Sequence, residues 1–393
     1  MGLYQKAIEF FQTPGGKSLS WHQMFGFDND NPQRSAKEFI ENGYIKASDV
    51  KPVVDKIAQN VGSVGWKVYT KDRNGELTLN TDSKLNDLLD SPNPKQTWGR
   101  LNTAAIINLL VTGNSFLKGV DSVGFAPGAY REIEILLSQG VAPIVAKDYS
   151  ILGYEYEIAR LRTKYTLEEI IHLSFFNPSE NGLETGLGIS PLQAGMDAYQ
   201  TSINQWKASS SLLKNKGAVG FISNDSDDVL EDDEYKSAQA SFNRKAGGAS
   251  NFGKVIVTPS KMKYNPMGMT AGDMKVIEIG IMTLRAICNI FGVDSSLFND
   301  PANKTYNNRK EAEKAMWTNT VIPLLNMLSE EYNRTFVKAY SEEEGKDLVL
   351  SYDVSGVEVL QEDKDKKIDR VIKMINAGLI TDEQGKERLD IND

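Results

Sequence analysis

The chain has 393 residues, 40% of them apolar and 25% charged, with 32 Gly and 13 Pro, a globular composition with room for two or three domains. A net charge of −9 argues against tight, sequence-independent gripping of nucleic acid, which Lys and Arg drive by neutralising phosphates, though it leaves room for a surface that DNA merely passes. Cys288 is the one cysteine, which excludes an intrachain disulfide and points to a reducing compartment.

The start, "MGLYQKAIEF", lacks the apolar stretch of a signal peptide, and Lys6 stands where a myristoylation site needs Ser or Thr. A soluble protein made inside the cell is expected. Residues 1–35 are rich in turn formers and read as a mobile arm. "TPGGKS" (Thr13–Ser18) tempts a phosphate-loop reading, but Phe11 stands where such a loop needs its first glycine. From Asp49 a helix is predicted, with Val53, Val54, Ile57, Ala58 and Val61 on one side. "GWKVYTKDRNGELTL" reads as a hairpin whose positive-φ turn is supplied by Asn74-Gly75. Asp82 opens a short helix through Leu89, closed by "SPNP".

Thr97 is the expected N-cap of the next helix. Its Ile106, Ile107, Leu109, Leu110 and Val111 cover too wide an arc for a surface helix, so it should be covered on most sides. Its apolar run is far too short to span a bilayer. Gly113-Asn114 ends it with left-handed capping residues. Strand-like pieces follow at 115–120, 131–137, 153–162 and 170–176, an α+β region ending near "GLETGLGISP". "GLGISP" has two glycines of a dinucleotide fingerprint with Pro191 in place of the third; a turn before a helix explains it. His172, in "IIHLSFF", fits a satisfied, half-buried strand residue better than a base.

Ser190-Pro191 is a helix start, after which Leu192, Met196, Tyr199, Ile203, Trp206, Ser210 and Leu213 recur at alternating steps of 4 and 3. Met274, Ile277, Ile281, Leu284, Cys288 and Phe291 repeat the device at steps of 3 and 4. Such stripes pack against other helices. Between them lies an insert, 217–268, with a strand at Val219–Ser223, an acidic-headed helix at about 229–246, and strands in "KVIVT" and "KMKYNP". Two rods with a small head between them suggest a stalk that leaves the body and returns. The stretch after Phe291, "GVDSSLFNDPANKTYNNRK", is polar and without period, and long for a loop in a compact domain. A long helix from about Arg309 to Tyr340 follows, kinked at Pro323, then a returning strand in "LVLSYDVS" and two short helices around Gly378.

Catalytic chemistry is only hinted at. "NDSDDVLEDDE" fails as a calcium loop, because Leu230 and Lys236 stand where Gly and Glu are needed. Two histidines and one cysteine rule out zinc sites and Cys-His catalysis. The 53 acids permit many carboxylate pairs, and nothing singles one out. No metal, cofactor or catalytic residue is expected.

Several segments carry a resemblance: "VVDKIAQNVGSVGWKVYT", "LNDLLDSPNP", the buried helix with "TGNSFL", "GLGISPLQAGMDAY", "GVDSSLF", "TYNN" and "INAGLITDEQGKERL". In this order and nearly end to end, the set resembles the portal proteins of tailed bacteriophages, in the short-chain branch of siphovirus-type phages, prophages and gene-transfer agents. The resemblance implies an α+β, multidomain portal fold and a dodecameric ring at one capsid vertex. Its parts would be an N-terminal arm (1–45), an α/β wing (46–190), stem helices at 191–216 and 269–292, and a small α/β clip (217–268) inserted between them. A tunnel loop (293–308) would face the DNA, followed by the kinked helix and wing return (309–362) and a helical crown (363–393).

The resemblance assigns inter-subunit packing in the stem to Met196, Tyr199, Ile203, Trp206, Met274, Ile277, Ile281, Leu284 and Phe291. It places Asn299, Asn303, Lys304, Thr305, Tyr306, Asn307, Asn308, Arg309 and Lys310 at the DNA channel. Lys304, Arg309 and Lys310 either touch passing phosphates or are solvated and paired with Glu311, Glu313 and Asp300; Tyr306 reads as a packing anchor. The clip acids Asp228, Glu231, Asp232, Asp233 and Glu234 either meet a basic partner or form a solvated face. Implied partners are further copies of the chain, the major capsid or scaffold protein, the large terminase, the head-completion adaptor and double-stranded DNA, with no membrane. The implied place is the virion's capsid vertex, after synthesis in the host cytoplasm. A non-enzymatic ring conduit is the leading expectation. The alternatives are a metal-dependent nuclease or other enzyme acting on phage DNA, and a scaffold or adaptor of a defective prophage.

Overall fold

The structure, a computed structural model, describes residues 36–121, 127–195, 220–224, 262–266, 272–298, 300, 306–361 and 371–375, with isolated positions in 198–204, 233–240 and 377–384. Helix α1 (Ala36–Ile40) widens into a π turn, Glu41–Ile45. Helix α2 (Val50–Gly62) buries Val50, Val53, Val54, Ile57, Ala58 and Val61, the stripe expected from their spacing. Strand β1 (Gly65–Lys71) and the short β2 (Leu77–Leu79) follow as an antiparallel hairpin. Gly75 alone takes a positive φ, +88°, so Asn74 does not share that role as expected. Asp72 supplies what a tighter turn would have given, its Oδ1 accepting the Asn74 and Glu76 N–H groups at 2.9 and 2.8 Å.

The principal partner of β1 is β11 (Leu348–Asp353), paired antiparallel from Gly65↔Asp353 to Thr70↔Leu348. Helix α3 (Leu85–Asp90) leads to α4 (Trp98–Thr112), where Thr97 Oγ1 accepts the Arg100 N–H at 3.4 Å. Leu101, Ala105, Ile106, Leu109, Leu110 and Val111 are buried, and Gly113 ends the helix at φ +76°. The helix is therefore enclosed as its composition predicts.

Two antiparallel three-stranded sheets follow, in orders β4-β3-β8 and β5-β6-β7. The strands are β3 (Asn114–Asp121), β4 (Tyr130–Ile135), β5 (Val141–Val145), β6 (Ile151–Ile158), β7 (Leu161–Tyr165) and β8 (Ile170–Ser174). The span read as one strand, 153–162, is in fact a hairpin turning at Ala159-Arg160, with φ +50° and +72°. Neither residue signals a turn, so the reversal is invisible in sequence. Strand β5 escaped prediction because Pro143 weakens a strand pattern; it is tolerated at the sheet's edge.

Helices α5 (Glu180–Thr185) and α6 (Pro191–Ala194) precede β9 (Gly220–Asn224), which pairs antiparallel with β10 (Met262–Pro266). Helix α7 (Gly272–Ile290) returns to the body. An unbroken helical rod then runs as α8 (Tyr306–Met316), a π turn (Trp317–Val321), α9 (Ile322–Tyr332), a second π turn (Asn333–Val337) and α10 (Lys338–Glu344). Before Pro323, where a kink is expected, the helix widens into the first π turn, in which the Ile322 N–H reaches back to the Trp317 carbonyl. A wider turn relieves the crowding that a proline ring imposes on the turn before it.

The main core joins α2, α4, β1, β11 and the rod. At its centre Tyr332 lies 5.4 Å from Trp98, 5.3 Å from Phe336 and 5.7 Å from Trp66 between ring centroids, and donates to Asn102 Oδ1 at 2.7 Å. A second core, with Phe116, Leu136, Val141, Tyr154, Ile170 and Leu187, lies beneath β5-β6-β7. The architecture is α+β, as expected. Among the described residues no helix is long and apolar enough to cross a membrane.

Candidate channel segment and helix roots

The two stripe-bearing segments meet the body at one place, and short-range polar chemistry holds the first. Ser190 Oγ accepts the Leu192 N–H at 3.1 Å as N-cap of α6 and donates to the Val111 carbonyl at 2.6 Å. That ties the start of α6 to the end of α4. Asn114, the first residue of β3, ties the preceding turn: its Oδ1 accepts the Gly188 N–H at 2.7 Å, and its Nδ2 donates to the Gly188 and Thr112 carbonyls at 3.0 and 3.1 Å.

His172 completes this knot. Its Nε2 lies 3.0 Å from Asn114 Oδ1 and its Nδ1 3.3 Å from the Tyr154 hydroxyl. An amide oxygen only accepts, so Nε2 carries the proton and Tyr154 donates to Nδ1. The ring stacks on Phe116 at 4.3 Å, and burial pulls the His172 pKa down to about 3. It is a neutral, satisfied strand residue, as its sequence context indicates.

The second rod packs on the first at Gly195, where a Cβ would sit 1.9 Å from Ile290 Cδ1. Along α7 the stripe divides. Cys288 and, just beyond the helix, Phe291 are buried in the chain's own main core, together with Ile287. The end of the helix is thus inserted beside α2 and α6, with Phe291 covered by its own chain. Leu284 packs partly on that core, Ile281 is half-buried, and Met282 is 67% exposed. The side chains of Met274 and Ile277, and the positions Met196, Tyr199, Ile203 and Trp206, lie outside the described residues.

The segment after α7 is more structured than its composition suggests. Val293 is buried, Ser295–Phe298 forms a 3₁₀ turn, and Leu297 and Phe298 pack against the main core. Asp300 is 1% exposed and is held by a fork from α7: Arg285 Nε lies 2.6 Å from Oδ2 and Nη2 3.0 Å from Oδ1. Ser295 Oγ adds a bond to Oδ2 at 2.8 Å. A buried carboxylate needs such compensation. Asp300 is thus engaged by Arg285 and Ser295, an arrangement the sequence reading missed because 285 and 300 belong to no common motif. At the other end α8 begins at Tyr306, so Tyr306, Asn307, Asn308, Arg309 and Lys310 are helical; Asn308, Arg309 and Lys310 are exposed. A 3₁₀ turn and the start of α8 thus occupy the described ends of the 293–308 span expected as a loop. Asn299 and 301–305, with Asn303, Lys304 and Thr305, lie outside the described residues.

In the insert, β9 and β10 pair from Gly220↔Pro266 to Asn224↔Met262, so the chain leaves and re-enters side by side. Asp233 is helical and exposed; Asp228, Glu231, Asp232 and Glu234 lie outside the described residues. Among the described residues no group of three or more His, Cys, Asp or Glu lies together as a metal-binding set.

The described residues form an α+β body on which the start of the first stripe-bearing segment lies beside the end of the second, with a pair of strands in the insert between them. The family model for phage portal protein matches residues 48–390, and the chain belongs to that family, the connectors between phage heads and tails. An uncharacterized protein of Rickettsia bellii is 28% identical over 380 residues, covering 93% of this chain and 92% of its own. Two solved structures of gene transfer agent (GTA) necks are similar at 25% identity. The neck of an empty particle, computed with C6 symmetry, gives a TM-score of 0.68 and covers 91% of this chain and 94% of its own. The neck of a native particle, computed with C12 symmetry, gives 0.64 and covers 91% and 93%.

Proposed function

We propose that the chain is a subunit of a closed, non-enzymatic ring of twelve at one capsid vertex, through which double-stranded DNA is packaged, retained and ejected. In this reading 46–190 is the wing, α7 and the segment from Pro191 the stem, 217–268 the clip, and 363–393 the crown. The observation that carries it is the divided stripe of α7: its C-terminal end is buried in its own subunit, while Ile281 and Met282 stay half-buried and exposed, available to neighbouring copies. The C12 symmetry with which a native GTA neck was computed supports a ring of twelve.

Asn308, Arg309 and Lys310 stand at the channel beside the 299–305 segment, where a few cations on an acidic subunit touch passing phosphates without arresting them. The clip acids, Asp233 among them, dock basic surfaces of the large terminase and later of the head-completion adaptor, while the wing meets the capsid protein. Synthesis takes place in the host cytoplasm and the final location is the virion. Native mass spectrometry and negative-stain imaging of the purified full chain test the reading. Rings with a central hole are expected, and a homogeneous monomer under all assembly conditions overturns it.

A further inference from the structure

Two surface spots outside the stem stand out among the described residues. Phe176, just after β8, is 84% exposed, the most exposed large apolar side chain among the described residues, and Leu183 on α5 is 62% exposed. Neither lies on a loose segment. Asn177 Oδ1 accepts Ser179 N–H and Oγ–H at 3.2 and 2.7 Å, its Nδ2 donates to the Leu187 carbonyl at 3.2 Å, and the Phe175 N–H donates to the Gly113 carbonyl at 3.0 Å. A rigid, displayed aromatic is the usual form of an interface anchor, since little entropy is lost when it is covered. The exposed charged residues nearest Phe176 and Leu183 in the chain are Glu180 and Glu184, both on α5.

The second spot is the tip of the β6–β7 hairpin, where Leu161 is 76% exposed between Arg160 and Lys164, both exposed. This tip is basic on a chain of net charge −9. It is held in place by Arg162, which bonds Glu157 at 2.7 Å and Glu155 at 3.3 Å. Helix α5 packs against β5, and Gly186 just beyond it lies against Ile151 at the start of β6, whereas the hairpin tip lies at the far end of β6, so the two spots lie at opposite ends of one sheet. One chain cannot bring its own pair together. A neighbouring copy can.

We infer that the acidic-rimmed Phe176–Leu183 spot of one subunit docks on the basic-rimmed Leu161 hairpin of the next, a head-to-tail contact between second copies of this chain. Two different, complementary patches on one chain make a heterologous interface, the kind that closes into rings when the rotation permits. Opposite rim charges fix the partner and the direction of travel, while the apolar centres supply the buried area. The contact rests on the ring reading proposed above and names where, outside the stem, the ring is joined.

Charge reversal in the full chain, read by native mass spectrometry, is the test. Glu180→Lys with Glu184→Lys, and separately Arg160→Glu with Lys164→Glu, are each expected to lower the ring fraction about tenfold at matched concentration, and all four together to restore it. Phe176→Ser and Leu161→Ser are expected to lower it similarly without mutual rescue. All these side chains are exposed, so circular dichroism of the variants stays that of the unaltered chain. A covalent version checks the register. A chain carrying both Phe176→Cys and Leu161→Cys gives a ladder of cross-linked multimers under mild oxidation, and either change alone gives none; Cys288 is buried. Rings that survive both reversed pairs, or double-cysteine rings that do not cross-link, overturn the contact and leave the ring reading standing. An unaltered chain that never leaves the monomer overturns both.

Discussion

Asn114 uses all of its side-chain capacity in one place, on Gly188, Thr112 and His172, so its removal strands several buried partners at once. Asn114→Ala is expected to cost about 3 kcal/mol in denaturant unfolding, at the upper end for a polar-to-alanine change. His172 gives this knot a pH dependence. Burial holds its folded pKa at about 3 against an ordinary 6.5. Between those values the unfolded chain binds the extra proton and the folded chain does not. The contribution of His172 is therefore fully present above about pH 6.5 and is lost progressively as pH falls toward 3. His172→Gln, which retains an N–H for Asn114, is expected to flatten that part of the stability–pH curve, and a curve of unchanged slope would contradict this account. Arg285 is the other decisive residue. Arg285→Met leaves the Asp300 carboxylate buried without its fork; the unfolding midpoint should drop, with Arg285→Lys restoring only part of it because an ammonium lacks the paired geometry.

Among the elements, the β6–β7 hairpin turns on Ala159 and Arg160, both left-handed without being glycine. Ala159→Gly removes the Cβ strain and should raise stability by roughly 0.5–1 kcal/mol, measurable by thermal unfolding. The local signals of most helices were readable. Thr97 and Ser190 are caps in the sequence and in the structure, and Val53, Val54, Ile57, Ala58 and Val61 spell out the buried face of α2. Position within the fold was harder to read. Phe291 belongs to the stripe of α7 by spacing, yet periodicity says which face is apolar and not which neighbour covers it; its own core does. The described part of the polar stretch after α7 was hard to read for a related reason. A polar stretch reads as loop, but Asp300 is drawn into the interior by a cation supplied from a helix earlier in the chain.

For the whole molecule, the proposed conduit role together with a net charge of −9 predicts weak retention of DNA. Fluorescence anisotropy with a linear duplex is expected to show little retention at about 0.15 M salt and a shallow salt slope, since few phosphates are neutralised; tight, steeply salt-dependent binding would count against a conduit. The chain's own amino-acid order determined what nearest neighbours decide: helix periods, caps, the segments shared with the portal family, and the absence of disulfide chemistry. The tertiary structure alone decided the pairing of β1 with β11, the Arg285–Asp300 fork, and which end of α7 stays inside its own subunit. Those pairings join residues far apart in the chain, and local propensity carries no record of a partner that only folding brings near.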